Sequence, residues 1–335
     1  MNSVRCCTRQ KESSRLKPRW THYLYRVPPI RLASGRIFET PTSRRLERDE
    51  GELLQEATRQ GVTNVARHYY HETVRVQGKD DDVKANVRKG LDITRVSNYR
   101  TGPTKPGNDP LPNRTHRRIV LSNYGEPICK ASSRAALLGA LEGCIRGHES
   151  LYKAGLLHRD ISINNLIINE GDENPSLSSF LIDLDFAIRI NRVKALGARE
   201  ITGTRAFIAI GVLMGEGHSF MDDLESFFWV LFWICIHYNG PNKSRSVKQS
   251  KRWNVEDTGE LAREKLGTVC KRQYFHDTVL AHFTPYYRPL IPWAVKLRDI
   301  VFPDNGNWER EDDTLYLRMR NILRYGRNDS VVIAE

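Results

Sequence analysis

The sequence predicts an α+β fold in which short strands and one helix precede a mainly α-helical C-terminal part. Three observations carry that reading. Apolar residues recur at helical spacing over 137–152, a nearly continuous apolar run spans 227–236, and the residues before Gly125 offer only short strand-like stretches between turns. Of the 335 residues, 39% are apolar and 27% charged, enough to build a core and too apolar for a wholly disordered chain. The 23 Gly and 15 Pro follow no period, which excludes collagen-like and repeat architectures.

Taken in order, residues 1–47 form a basic N-terminal segment, expected to be partly disordered, in which 20–27 alternates well enough for a strand. The chain carries 52 Lys and Arg against 40 Asp and Glu, a formal charge of +12, and much of that excess sits here. Contact with nucleic acid is open to such a segment, but no folded reader accompanies it and a solvated arm is the expectation. Asp49 to Glu52 then opens a helix, with Leu53, Leu54 and Ala57 on one face, acids in its first turn and Gly61 as its stop. Residues 62–76 read as turn and strand, 79–82 as a charged loop, 99–113 as an irregular Pro/Gly-rich connection and 118–121 as a short strand. Ser132 and Ser133 are N-caps for a helix of about six turns that Gly155 closes. Residues 166–168 and 180–182 read as a hairpin around a polar insert. Asp222 and Asp223 cap the apolar helix, which ends at Gly240-Pro241 and belongs in the middle of a domain.

That apolar run falls well short of the roughly 20 residues of a membrane span, so none is expected. Six cysteines without a secretory leader point to a reduced intracellular setting, cytoplasmic or nuclear and not secreted. The pair Cys6-Cys7 has no supporting metal or lipidation motif. His68-Tyr69-Tyr70-His71 has ligand-like spacing, but no acid or Cys cluster joins it, and it reads as an ordinary strand approach.

The chemistry lies in His158-Arg159-Asp160-Ile161-Ser162-Ile163-Asn164-Asn165, followed by Leu181-Ile182-Asp183-Leu184-Asp185-Phe186-Ala187. A carboxylate and a carboxamide sit on one loop after a long helix, and a second carboxylate comes directly off a buried strand. Phosphoryl transfer uses such a set: Asp160 to accept the proton of a hydroxyl nucleophile, Asn165 and Asp183 to hold Mg²⁺ against nucleotide phosphates. Taken alone, Asp160 reads equally well as a turn-capping residue and Asp183 as a strand-end Asp satisfied by backbone amides. It is the ordered set, with Thr204 downstream, that points to chemistry.

These residues resemble the protein-kinase catalytic loop H-R-D-x-x-x-x-N and a variant of D-F-G. The stretch 203–211 resembles the kinase segment ending in A-P-E, and Asp223 stands where kinases carry an Asp in the central helix. The wording is closest to the fungal-type protein kinase family, through Glu50-Gly51-Glu52-Leu53-Leu54, Val62-Thr63-Asn64-Val65-Ala66-Arg67, His158 to Ser162, Ile182 to Asp185 and Asp223-Leu224-Glu225-Ser226-Phe227-Phe228. The resemblance runs from about Arg48 to Leu323. It implies a two-lobed protein-kinase-like fold: a partial N-terminal lobe over 48–126, reduced in extent, and a C-terminal lobe over 127–335. It implies ATP and Mg²⁺ as cofactors, a protein Ser/Thr hydroxyl as acceptor, Asp160 and Asn165 as catalytic residues, and Asp183 with Asn165 as metal and nucleotide ligands. Arg159, Thr202 and Thr204 fall to the activation segment, and His158 and Asp223 to structural roles.

Departures from the family pattern bear on activity. Only Gly35 precedes the first helix as a candidate for a Gly-rich loop, and no Lys lies between Lys17 and Lys79. The resemblance places Glu39 where kinases carry a strand Lys. Ser162 replaces a Lys, Gly211 replaces the Glu of A-P-E and its buried ion pair, and Asp185 replaces the Gly of D-F-G, as is typical of this branch. The leading expectation is therefore ATP- and Mg²⁺-dependent phosphoryl transfer to protein. The alternative is a catalytically impaired pseudokinase that acts as a binding scaffold. A small-molecule phosphotransferase of the aminoglycoside-kinase type is disfavoured by Arg159, where those enzymes usually carry Gly.

Overall fold

The computed structural model describes residues 36–41, 49–89, 114–171, 177–191, 201–247, 253, 256–303 and 311–334. The strand expected over 20–27 and the connection 99–113 lie outside them. What is described is a mixed α/β chain with few, short strands and many helices.

The N-terminal part is an antiparallel sheet, β1 (Arg36–Pro41), β5 (His116–Leu121) and β2 (His68–Thr73), in the order β1-β5-β2. Helix α1 (Glu50–Arg59) packs against β2. The Asp49 carboxylate accepts from the Gly51 N–H at 2.9 Å, Glu50 and Glu52 occupy the positive end of the helix dipole, and Leu53, Leu54 and Ala57 bury its apolar stripe. The segment 79–82, expected as a loop, instead contributes β4 (Lys79–Asp80), paired with β3 (Arg75–Val76). Gln77 and Gly78 both take positive φ, the two-residue turn that matches strand twist. Its charged residues mask a hairpin that turn chemistry specifies.

After β6 (Glu126–Pro127), Ser133 caps α2 (Arg134–Lys153) by accepting from the Ala136 N–H at 3.0 Å. The expected hairpin is present as β8 (Leu166–Ile168) and β9 (Ser179–Leu181), with β6 on the outer side of β8, and all three residues of each hairpin strand are buried. A short ladder of β7 (Leu156–Leu157) and β10 (Ile188–Arg189) frames the loop between. The chain after α1 is stitched to β9: Ala66 donates to the Leu181 carbonyl at 2.8 Å and Leu181 to that of Asn64 at 3.0 Å.

Beyond these lie α3 (Ile210–Leu213), α4 (Phe220–His237), α5 (Thr258–Val269), α6 (Arg272–His282), α7 (Ile291–Val301), α8 (Thr314–Arg327) and α9 (Ser330–Ile333). Ser219, not Asp222 or Asp223, caps α4; Asp222 closes a capping box back onto Ser219. That box starts the helix three residues earlier than the acids suggest. Phe228, Leu231, Phe232 and Cys235 are buried, with Phe228 against Phe275 and Phe302 and Phe232 against Trp253. Among the described residues no helix is long and apolar enough to cross a membrane.

Candidate active site

The loop from β7 to β8 is held at every residue that the sequence singled out. His158 is fully buried, its Nε2 3.1 Å from the Ile182 carbonyl, while its Nδ1 accepts from the Asp160 N–H at 3.3 Å. A single neutral tautomer, protonated at Nε2, serves both contacts, and burial holds the imidazole pKa below its usual range. His158 thereby ties this loop to the strand end that carries Asp183. Arg159 and Asp183 both adopt φ +67, the left-handed region that a side chain rarely enters. The Arg159 N–H donates to Asp223 Oδ2 at 3.0 Å, an anchor from α4 for this strained turn.

Asp160 is buried, and both carboxylate oxygens are engaged. Oδ1 accepts from the Thr204 N–H at 2.8 Å and its hydroxyl at 3.0 Å; Oδ2 accepts from Asn165 Nδ2 at 3.2 Å. Asn165 Nδ2 also donates to the Asp160 carbonyl at 2.9 Å, which orients the carboxamide so that its oxygen is the remaining acceptor. The Ile182 N–H donates to the Asn165 carbonyl at 3.0 Å, so loop and strand end are joined. Thr204 follows Gly203, whose φ of +109 and close approach to the Arg159 carbonyl, 3.0 Å from where a Cβ would stand, suit only glycine.

Around Asp183 the site is densely acidic. Asp183 Oδ1 accepts from the Asp185 N–H at 3.2 Å, and Glu50 at the start of α1 accepts from the Leu184 N–H at 3.1 Å. Burial, then Asp183, raise the carboxyls of Glu50 and Asp160, and the same two causes push Asp185 up to about 7. The cations acting on Asp185 are Arg114 and Arg117. Arg117, on β5, reaches Asp49 at 2.8 Å. Oxygen donors and mutually repelling carboxylates suit a hard divalent cation, which would relieve that repulsion. Among the described residues no group of three or more His, Cys, Asp or Glu is placed to hold a metal, so such an ion would be shared by Asp183, the Asn165 carboxamide and ligand oxygens.

Asp223 sits behind the loop in the opposite condition. His148 Nε2 and His218 Nε2 each lie 2.8 Å from its carboxylate, and His148 Nδ1 lies 2.7 Å from the Tyr316 hydroxyl. Burial alone would raise its pKa; the two imidazoles outweigh that and hold it far below the usual carboxylate range.

Thr202 is buried, and the Thr204 hydroxyl faces Asp160. Residues 192–200 lie outside those described. Glu39 lies on β1. Its register partner is Arg118, whose side chain reaches Glu72, whereas the neighbouring Arg117 reaches Asp49 at the start of α1. Alternation therefore puts Arg117 on the face of β5 that meets the start of α1, and Arg118 on the other face. The sequence reading also missed Glu50 as part of this cluster. Its position in the first turn of α1 explains it equally well as a dipole partner, and nothing local signals a contact 134 residues away.

A family model described as fungal protein kinase matches residues 40–235. No curated protein matches the chain.

Proposed function

The chain belongs to the fungal protein kinase family, and from that premise we propose that it transfers a phosphoryl group from ATP, with Mg²⁺, to a Ser or Thr hydroxyl of a protein. The observation that carries this is the joining of buried Asp160 and Asn165 to half-buried Asp183 in one acidic neighbourhood, by the bonds from Asn165 to Asp160 and from Ile182 to Asn165. Asp183 and Asn165 would hold the cation, which when bound offsets charge on the nucleotide phosphates. Asp160 would take the hydroxyl proton. Thr204 and Asn165 fix its carboxylate, and its raised pKa makes it a stronger base than an exposed Asp. The two-lobed division near 126/127 belongs to the same reading, with α1 and the β1-β5-β2 sheet as the smaller lobe.

None of the strands β1, β2 and β5 carries a lysine, so phosphate binding there needs another cation. Arg117 is the residue best suited to supply it. It stands on the α1 face of the sheet, and its charge bears on Asp185. The missing lysine is also what favours the second reading, an impaired kinase that serves as a scaffold. Calorimetric titration with ATP–Mg²⁺, paired with radiolabel transfer to a generic protein acceptor, separates the two. The first reading expects binding and transfer, with nucleotide affinity lowered at least about tenfold in Arg117→Ala. Binding without transfer leaves the scaffold ahead, and absence of both overturns the nucleotide assignment.

A further inference from the structure

Lys265 of α5 has none of its surface exposed, an uncommon state for a lysine. Its Nζ lies 4.6 Å from the ring centre of Trp229 and 5.4 Å from that of Trp253, and donates to the Ile208 carbonyl at 2.6 Å. Two residues on, the Ile210 N–H donates to Glu225 Oε1 of α4 at 2.8 Å, and that oxygen also accepts from Trp229 Nε1 at 2.8 Å. A cation and an anion from two helices thus grip a carbonyl and an amide of one short stretch, Ile208 to Ile210, itself buried.

Upstream of the grip, a 3-10 turn, Arg205–Phe207, leads back to Thr204, with Phe207 donating to the Thr204 carbonyl at 2.8 Å. Thr204 makes both contacts to Asp160 Oδ1. We infer that Glu225 and Lys265 are positioning residues, which fix the Ile208–Ile210 backbone and, through the rigid turn, hold Thr204 against Asp160. This rests on the phosphoryl-transfer reading for its consequence, not for its geometry. Burial raises the Glu225 carboxyl pKa and lowers that of the Lys265 amine, while each counters the shift of the other. Such a pair is costly to bury, and an apolar pair would pack with less penalty. What apolar side chains could not supply is a donor to Ile208 and an acceptor for Ile210. The brace that Gly211 cannot form is supplied instead from α4 and α5.

The test is amide hydrogen exchange on the full chain, resolved over 203–213 and over α4, alongside nucleotide affinity and turnover. Lys265→Met keeps the length and removes the donor. It is expected to speed exchange in 203–213 by about tenfold to a hundredfold, with α4 unchanged, and to lower kcat while leaving ATP affinity within about twofold. Glu225→Gln keeps the acceptor oxygen for Ile210 and retains most of the protection; Glu225→Leu removes it and does not. This pair decides the matter should Lys265→Met fail to fold. Unchanged exchange in 203–213 in both Lys265→Met and Glu225→Leu, or equal acceleration throughout α4, overturns the proposal. A parent that transfers no phosphate overturns the phosphoryl-transfer reading alone, because the exchange arm still reports whether the clamp holds.

Discussion

Asp223 and the acids around Asp183 flank the same loop, the first fully buried and Glu50, Asp183 and Asp185 half-buried, and they rest in opposite states. Asp223 accepts from the Arg159 backbone and lies between two imidazoles, so its charge is held with partners on every side. Desolvation, and then the Asp183 carboxylate that bears on all three, raise the pKa values of Glu50, Asp160 and Asp185. The first arrangement is what a structural anchor needs. A bound cation would relieve the second, as the proposed metal–nucleotide site requires.

Breaking the reactive side should have the largest effect. Under the proposed phosphoryl transfer, Asp160→Asn would remove the proton acceptor but no metal ligand, so transfer in a radiolabel assay should fall by about 10²–10⁴-fold with ATP affinity nearly unchanged. Equal activity of variant and parent would remove Asp160 from the chemistry. On the anchoring side, Asp223→Ala strips a fully buried charge from two imidazoles and the Arg159 amide, and should cost about 3–5 kcal/mol by denaturant titration. A loss below about 1 kcal/mol would mean that the anchor is no stronger than an ordinary hydrogen bond. In the same helix, Leu231→Ala should cost about 2–5 kcal/mol, since Leu231 is buried in the α4 core. An unchanged melting temperature would contradict that placement.

The smallest effect is the pH dependence of the cleft. Asp185 titrates at about 7 when folded against an ordinary carboxyl value of 3.8, so the native state keeps a proton that the unfolded chain has released. Its favourable contribution is therefore fully present below about 3.8 and lost as pH rises through about 7. In EDTA, parent stability should decline over that window relative to Asp185→Asn, and Mg²⁺ with ATP should flatten the decline. A parent and variant with parallel pH profiles would show that the cleft acids carry no net strain.

Sequence by itself determined the elements whose signals are local. The heptad-like stripe of α2 with its Ser133 cap, the apolar α4, the β8–β9 hairpin and the order of Asp160, Asn165 and Asp183 follow from spacings of a few residues, because side-chain periodicity and capping act within a turn or two. Tertiary structure decided what depends on distant pairing. The face on which Arg117 stands follows from the register of β5 against β2, where a slip of one residue would turn every side chain to the other face. Glu50 meets Leu184 across 134 residues where the chain after α1 is stitched to β9, and Lys265 reaches Ile208 across 57 residues. Those contacts are set by how helices and sheets pack, and no short window of sequence contains both partners.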